Sequence, residues 1–190
     1  MRNFNLKSVL VVDVEATCWE PKPLSKSKEF ESEIIEIGVC EFFLDKGISN
    51  KKSIIVRPQY SKVSDFCTGL TTLTQKDVDA GISFRTACET LESEFGSRNK
   101  TWASYGDYDR KQFEKECRSK SVDYPFGPKH INVKNLFALM FRLDREVGMP
   151  EALDLLGLKL EGTHHRGIDD ASNIAKILEI LLEKKELKKV

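Results

Sequence analysis

The sequence predicts an α/β fold in which a mixed sheet is covered by helices. Three observations carry this: a continuous β-branched run from Ser8 to Val14, two more strand-like segments directly after it, and, from Thr101 on, a further strand followed by amphipathic helical stripes. A length of 190 residues is enough for one domain with its own core and no disulfides, so residues 1–190 read as a single domain.

The first run, S-V-L-V-V-D-V, is too continuously apolar for a one-sided strand and reads as central and buried on both faces. A Pro, Ser and Lys-rich loop follows from Glu20 to Lys28. Ile34 to Leu44 is the second strand, with Gly38 marking a bulge or close packing. Ser53 to Val56 is the third and stops at Arg57-Pro58, since proline cannot continue a ladder. Thr74 caps a short helix through Asp79. Ser83 caps another through Phe95, with Ala87, Leu91 and Phe95 at four-residue steps and Gly96 closing it. Thr101 to Tyr105 is a strand, and Asp107 caps a helix through Lys120. Three helices complete the chain: Val133 to Val147, Pro150 to Leu156, and Gly167 to Lys185 with Ala171, Ile174, Ala175, Leu178 and Leu181 on one stripe.

Composition narrows the function classes. Hydrophobic residues make up 40% and charged residues 32%, which excludes collagen-like, disordered and membrane-embedded chains. No apolar stretch approaches a membrane span or a signal peptide, so no membrane partner is expected. The five cysteines lie far apart with no CxxC pair, which argues against a zinc ribbon and for a reducing, cytoplasmic location. With 30 Lys+Arg against 30 Asp+Glu there is no long-range field to hold a polyanion, so any contact with nucleic acid must be local.

Several carboxylates fall where a core belongs. Asp13 and Glu15 sit two apart at the end of a buried strand, so both project to one face. That arrangement suits either a solvated strand end or a site for a hard divalent cation, which prefers carboxylate oxygens. Asp109 shares a helix face with Phe113 and Cys117 and so points coreward, whereas Asp107 is the cap. Asp170 borders the buried stripe of the last helix through Ile174 and Ile177, and Asp169 rotates away. His165 reaches the same place as Asp170 only from a loop before the helix, which Gly167 permits. A histidine there suits a general base.

Taken as an ordered set, the Asp13-x-Glu15 pair, the Tyr108-Asp109 element followed by Phe113, and His165 with Asp170 at H-x4-D spacing resemble the DEDDh family of 3'-5' exonucleases. The string from Val12 to Glu20 looks most like the branch that contains histone-mRNA and small-RNA-trimming exoribonucleases, and Ser64 to Thr71 is similar to that branch's second block. Ala16 stands where proofreading relatives commonly carry threonine, which tilts the expected substrate toward RNA. Gly69 is displaced from its usual place relative to Leu73, which leaves the shape of the nucleotide pocket open.

The resemblance implies a ribonuclease-H-like fold with a five-stranded mixed sheet flanked by helices, and a single exonuclease domain. It implies two Mg2+ or Mn2+ ions held by Asp13, Glu15, Asp109 and Asp170, with His165 as general base and release of nucleoside 5'-monophosphates from a single-stranded RNA or DNA 3' end, RNA being favoured. Ala16, Thr17, Trp19, Phe66, Leu70 and Tyr108 are the expected contacts of the terminal nucleotide, and Arg166 is a candidate phosphate contact. The alternatives are a single-stranded DNA exonuclease, or a regulatory protein that keeps the fold and acts mainly by binding a protein partner.

Overall fold

The computed structural model describes residues 6–21, 24–25 and 27–183. Strand β1 (Ser8–Ala16) lies at the centre, as its unbroken apolar run requires, and all but one of its residues are buried. It pairs antiparallel with β2 (Ile34–Phe43), which pairs antiparallel with β3 (Gly47–Ile55). On the other side β1 pairs in parallel with β4 (Thr101–Ser104), and β4 in parallel with β5 (His130–Asn132). The five-stranded order is β3-β2-β1-β4-β5, the mixed sheet that was expected.

The period of two along β1 divides the core. Leu10, Val12 and Val14 face a cluster that includes Phe84, Ala87, Leu91 and Phe95 of α3 (Phe84–Phe95) and Phe113 and Cys117 of α4 (Tyr108–Lys120). Val9 and Val11 face the opposite cluster, built from α5 (Val133–Phe141), α6 (Met149–Leu155) and α7 (Gly167–Glu183). Asp13 and Glu15 continue the second set. They therefore emerge on the side where α7 begins.

Gly38 shows why α7 can approach so closely. A Cβ on Gly38 would lie 1.9 Å from the Gly167 carbonyl carbon, so the first turn of α7 rests on the backbone of β2, beside the Asp13 to Gly38 pair. Close packing was one of the two roles that the sequence suggested for this glycine.

Several boundaries differ from expectation. Strand β3 is longer because Asn50 and Lys51 carry it as a solvated edge, where polar residues are tolerated. Two short helices, α1 (Asp65–Thr71) and α2 (Gln75–Asp79), lie between β3 and α3; α1 has no apolar period and is recognisable mainly from its Ser64 cap. Thr74 and Asp77 form a full capping box at α2. Helix α5 stops at Phe141, where Arg142 turns left-handed with φ 55°. Asp107 makes no capping hydrogen bond; its carboxylate pairs instead with Arg110 at 3.1 Å. The predicted continuation of α7 to Lys185 lies outside the described residues. Among the described residues no helix is long and apolar enough to cross a membrane.

Candidate active site

At the carboxyl end of β1 the sheet opens into a cleft of about 410 Å3 that contains Asp13, Glu15, Asp109, His164, His165 and Asp170. One oxygen from each of Asp13, Glu15 and Asp170 falls within 4.8 Å of the others. The carboxylates are placed by different elements of the fold. Asp13 and Glu15 ride the alternation of β1, and Asp170 sits in the first turn of α7, set by the contact of Gly167 on Gly38.

Asp109 arrives from the other face. Strand β4 pairs with β1 only from Val9 to Val11, so beyond that point the β4-side edge of β1 lacks a strand partner. Asp109 Oδ1 accepts the Val14 N–H at 2.9 Å and thus completes the ladder that β4 leaves short. The nearby Ser104 hydroxyl also favours the charged form of this carboxylate.

Burial pushes all four carboxyls up from their ordinary range: Glu15 to about 8, Asp109 to about 6, and Asp13 and Asp170 upward as well. For Asp13 and Glu15 the charges of the neighbouring acids push in the same direction. Among the described residues no lysine or arginine forms an ion pair with any of the four; Arg110, next to Asp109, pairs with Asp107 and Glu114, and Arg166 is turned toward Glu36. An all-carboxylate donor set without a lysine or arginine ion pair fits a hard divalent cation.

Both histidines line the cleft, stacked with ring centres 3.9 Å apart. His164 Nδ1 lies 3.0 Å from Asp170 Oδ2, whereas His165 meets the same oxygen through its backbone N–H at 2.9 Å. The spacing argument singled out His165, but a residue count does not show which way a ring turns. His165 has φ 65°, and that left-handed kink seats both imidazoles in the cleft. Burial, then His164, holds His165 below its ordinary value, so its ring is neutral at pH 7 and able to accept a proton.

The expected nucleotide contacts divide. Ala16, Leu70 and Tyr108 line the cleft, and Tyr108 is 55% exposed. Thr17 does not: it is fully buried, with its hydroxyl 2.9 Å from Ser61 Oγ and accepting the Glu33 N–H at 3.0 Å. Trp19 lies outside the lining, edge-on to Phe30, and Phe66, exposed on α1 one turn before Leu70, is not part of the lining either. Arg166 does not face the cleft as a phosphate contact would; its guanidinium is committed to Glu36.

The sequence reading also passed over residues that matter here. The far wall is made by Gly148, Met149 and Pro150, held where the Tyr105 hydroxyl donates to the Val147 carbonyl at 3.0 Å. Glu36 is completely buried and lies opposite Glu15 in register. Its signal was available, since a glutamate within I-I-E-I-G-V is as anomalous as Asp13 within V-L-V-V-D-V.

Comparison with known proteins gives this geometry a context. The exonuclease family profile (RNase_T) matches residues 10–178. The chain is 32% identical over 186 residues to rat 3'-5' exoribonuclease 1, covering 92% of this chain and 53% of that protein. It is 31% identical over 192 residues to the Drosophila melanogaster 3'-5' exonuclease Snipper, covering 90% of this chain and 67% of that one. The chain thus spans about half of the rat relative and two thirds of the fly one. Among solved structures, the nuclease domain of 3'hExo, a DEDDh family member bound to rAMP, superposes with a TM-score of 0.84 at 29% identity, covering 95% of this chain and 94% of that one. Exonucleases of the DEDDh type depend on divalent metal, in keeping with the donor set described above. The chain belongs to the exonuclease family, and the relatives it resembles are named 3'-5' exoribonucleases and exonucleases.

Proposed function

We propose that this chain is a metal-dependent 3'-5' exonuclease that removes nucleoside 5'-monophosphates from single-stranded RNA, with single-stranded DNA a poorer substrate. The observation that carries the reading is the cluster of carboxylates, most of them buried, that opens to a cleft and forms no ion pair with any lysine or arginine among the described residues. Its RNA arm is supported by the ribonucleotide bound to 3'hExo, by the exoribonuclease relatives and by Ala16.

Two divalent ions held by Asp13, Glu15, Asp109 and Asp170 would supply the acidity of the attacking water and the charge that the departing 3' oxygen needs. The chain's own groups do the rest. His165, neutral and beside the acids, takes the proton of the attacking water. His164 braces Asp170, and the exposed Tyr108 ring offers a face on which any terminal base can stack, with Leu70 and Ala16 flanking it.

The test is digestion of matched 3'-labelled RNA and DNA oligonucleotides with Mg2+, Mn2+ or EDTA. The reading expects stepwise release of nucleoside 5'-monophosphates from the 3' end, faster on RNA and silent in EDTA. Release that survives EDTA, or no release with either metal, overturns the reading. Faster cleavage of DNA overturns its RNA arm.

A further inference from the structure

We propose that Glu36 and Arg166 act together as a strap that fixes the His165 loop over the acid cluster, which makes both of them positioning residues for the reaction. The kinetic consequence of this strap rests on the exonuclease reading, while the strap itself is independent of it.

Glu36 is a fully buried carboxylate on β2, a position that is costly unless every oxygen is paired. Its partners converge from two parts of the fold, the entry to α7 and strand β3. Arg166 Nε donates to Oε2 at 2.9 Å and Nη2 to Oε1 at 3.4 Å, the Gly167 N–H donates to Oε2 at 3.1 Å, and Ser53 Oγ on β3 donates to Oε1 at 2.6 Å. Arg166 Nη1 also reaches Thr72 Oγ1, just beyond α1, at 3.4 Å. One side chain therefore ties the loop to β2 directly, to β3 through Glu36, and to the turn after α1. Lysine could hold only part of this, because the fork of the guanidinium serves two partners at once.

The residue held by this strap is strained. His165, directly before Arg166, has φ 65°, a left-handed conformation that a histidine keeps only where its surroundings over-determine it. On the amino-terminal side the Thr163 N–H is fixed by Asp169 Oδ2 at 2.8 Å, and the His165 N–H by Asp170 at 2.9 Å. On the carboxyl-terminal side the fixed points are Arg166 and Gly167 on Glu36, reinforced by the backbone contact of Gly167 with Gly38. With the carboxyl-terminal hold released, the kink that seats both rings in the cleft is free to relax.

Two measurements on the full chain test this: amide hydrogen exchange of the metal-free protein, and kcat and KM on a single-stranded RNA with Mg2+. Arg166→Gln should speed exchange across residues 163–168 while the sheet keeps its protection. In the same variant kcat should fall roughly 10- to 100-fold with KM within about twofold, the usual size of a positioning effect beside a metal site. Arg166→Lys should recover part of both, and Glu36→Gln with Arg166→Gln should lose no more than the worse single variant. Unchanged exchange at 163–168 overturns the strap. So does a raised KM with kcat retained, which would make Arg166 a phosphate contact, or faster exchange throughout the sheet, which would make the pair a general stabiliser. If the wild-type chain does not degrade RNA, the exonuclease reading fails and the exchange data still decide whether the strap exists.

Discussion

Two regions of this molecule bury carboxylates, and they treat them in opposite ways. Where α4 meets β2, Glu33 accepts N–H groups from Gln59, Tyr60 and Ser61 at 2.6 to 2.8 Å, and Lys120 Nζ lies 2.7 Å from both Glu33 and Glu116. Glu116 in turn accepts the Ile34 N–H at 2.9 Å. In the cleft, Asp13 and Glu15 face other acids. Burial pushes carboxyls up in both places, yet at the junction Lys120 and the backbone donors overcome it for Glu33, which ends at about 2, while Glu15 rises to about 8. Glu116, with fewer donors, stays above its ordinary value. Burial alone therefore says little about what an acid is for. The identity of its partners separates a structural clamp from a site that waits for a cation.

The largest effect that can break this comparison is catalytic. Asp13→Ala, Glu15→Ala, Asp109→Ala and Asp170→Ala should each abolish turnover, and Glu15→Ala should also raise the melting temperature of the metal-free chain at pH 8, because it removes an uncompensated charge. A variant that keeps near-wild-type turnover at moderate Mg2+ removes that residue from the ligand set. At the junction the sign reverses. Lys120→Met should cost about 3–5 kcal/mol in chemical denaturation by leaving Glu33 and Glu116 without their cation, with the folded fraction still active.

Proton linkage sharpens the contrast. The folded Glu33 titrates near 2 against an ordinary 4.5, so its contribution of about 3 kcal/mol is complete above pH 4.5 and is lost as pH falls toward 2. Glu15 titrates near 8, so the folded state holds a proton that the unfolded state has released, and stability declines as pH rises from 4.5 to 8. Metal-free melts should accordingly show lower stability at pH 8 than at pH 5, and Glu15→Gln should shrink that difference. A flat profile over this interval contradicts the assignment. The smallest effect expected is at the cleft mouth: Tyr108→Ala should weaken binding of the 3'-terminal nucleotide by about 1–3 kcal/mol for all four bases, and a loss confined to one base would indicate edge recognition instead.

Much of the site was legible because β1 and α7 obey simple periods. Asp13 and Glu15 stand out against an apolar strand, and Asp170 against an apolar helical stripe. What stayed hidden depends on contacts between distant segments. The burial of Thr17 depends on Ser61 and Glu33, the commitment of Arg166 depends on Glu36, and the contact of His164 with Asp170 depends on a left-handed residue that local spacing does not reveal. Helix α1 has no apolar period to mark it, and Arg142 gives no sign in the sequence of the left-handed turn that ends α5 at Phe141.

If the cleft acids lack a lysine or arginine partner because they hold a divalent cation, calorimetric titration of Mn2+ into the chain at pH 7 should show it. With Glu15 raised to about 8, metal must displace protons, so wild type should show saturable binding whose heat varies with the ionisation enthalpy of the buffer. Asp13→Asn and Glu15→Gln should lose that binding, and Glu33→Gln should keep it. Absence of saturable binding by wild type, or equal binding by Asp13→Asn, would contradict the account.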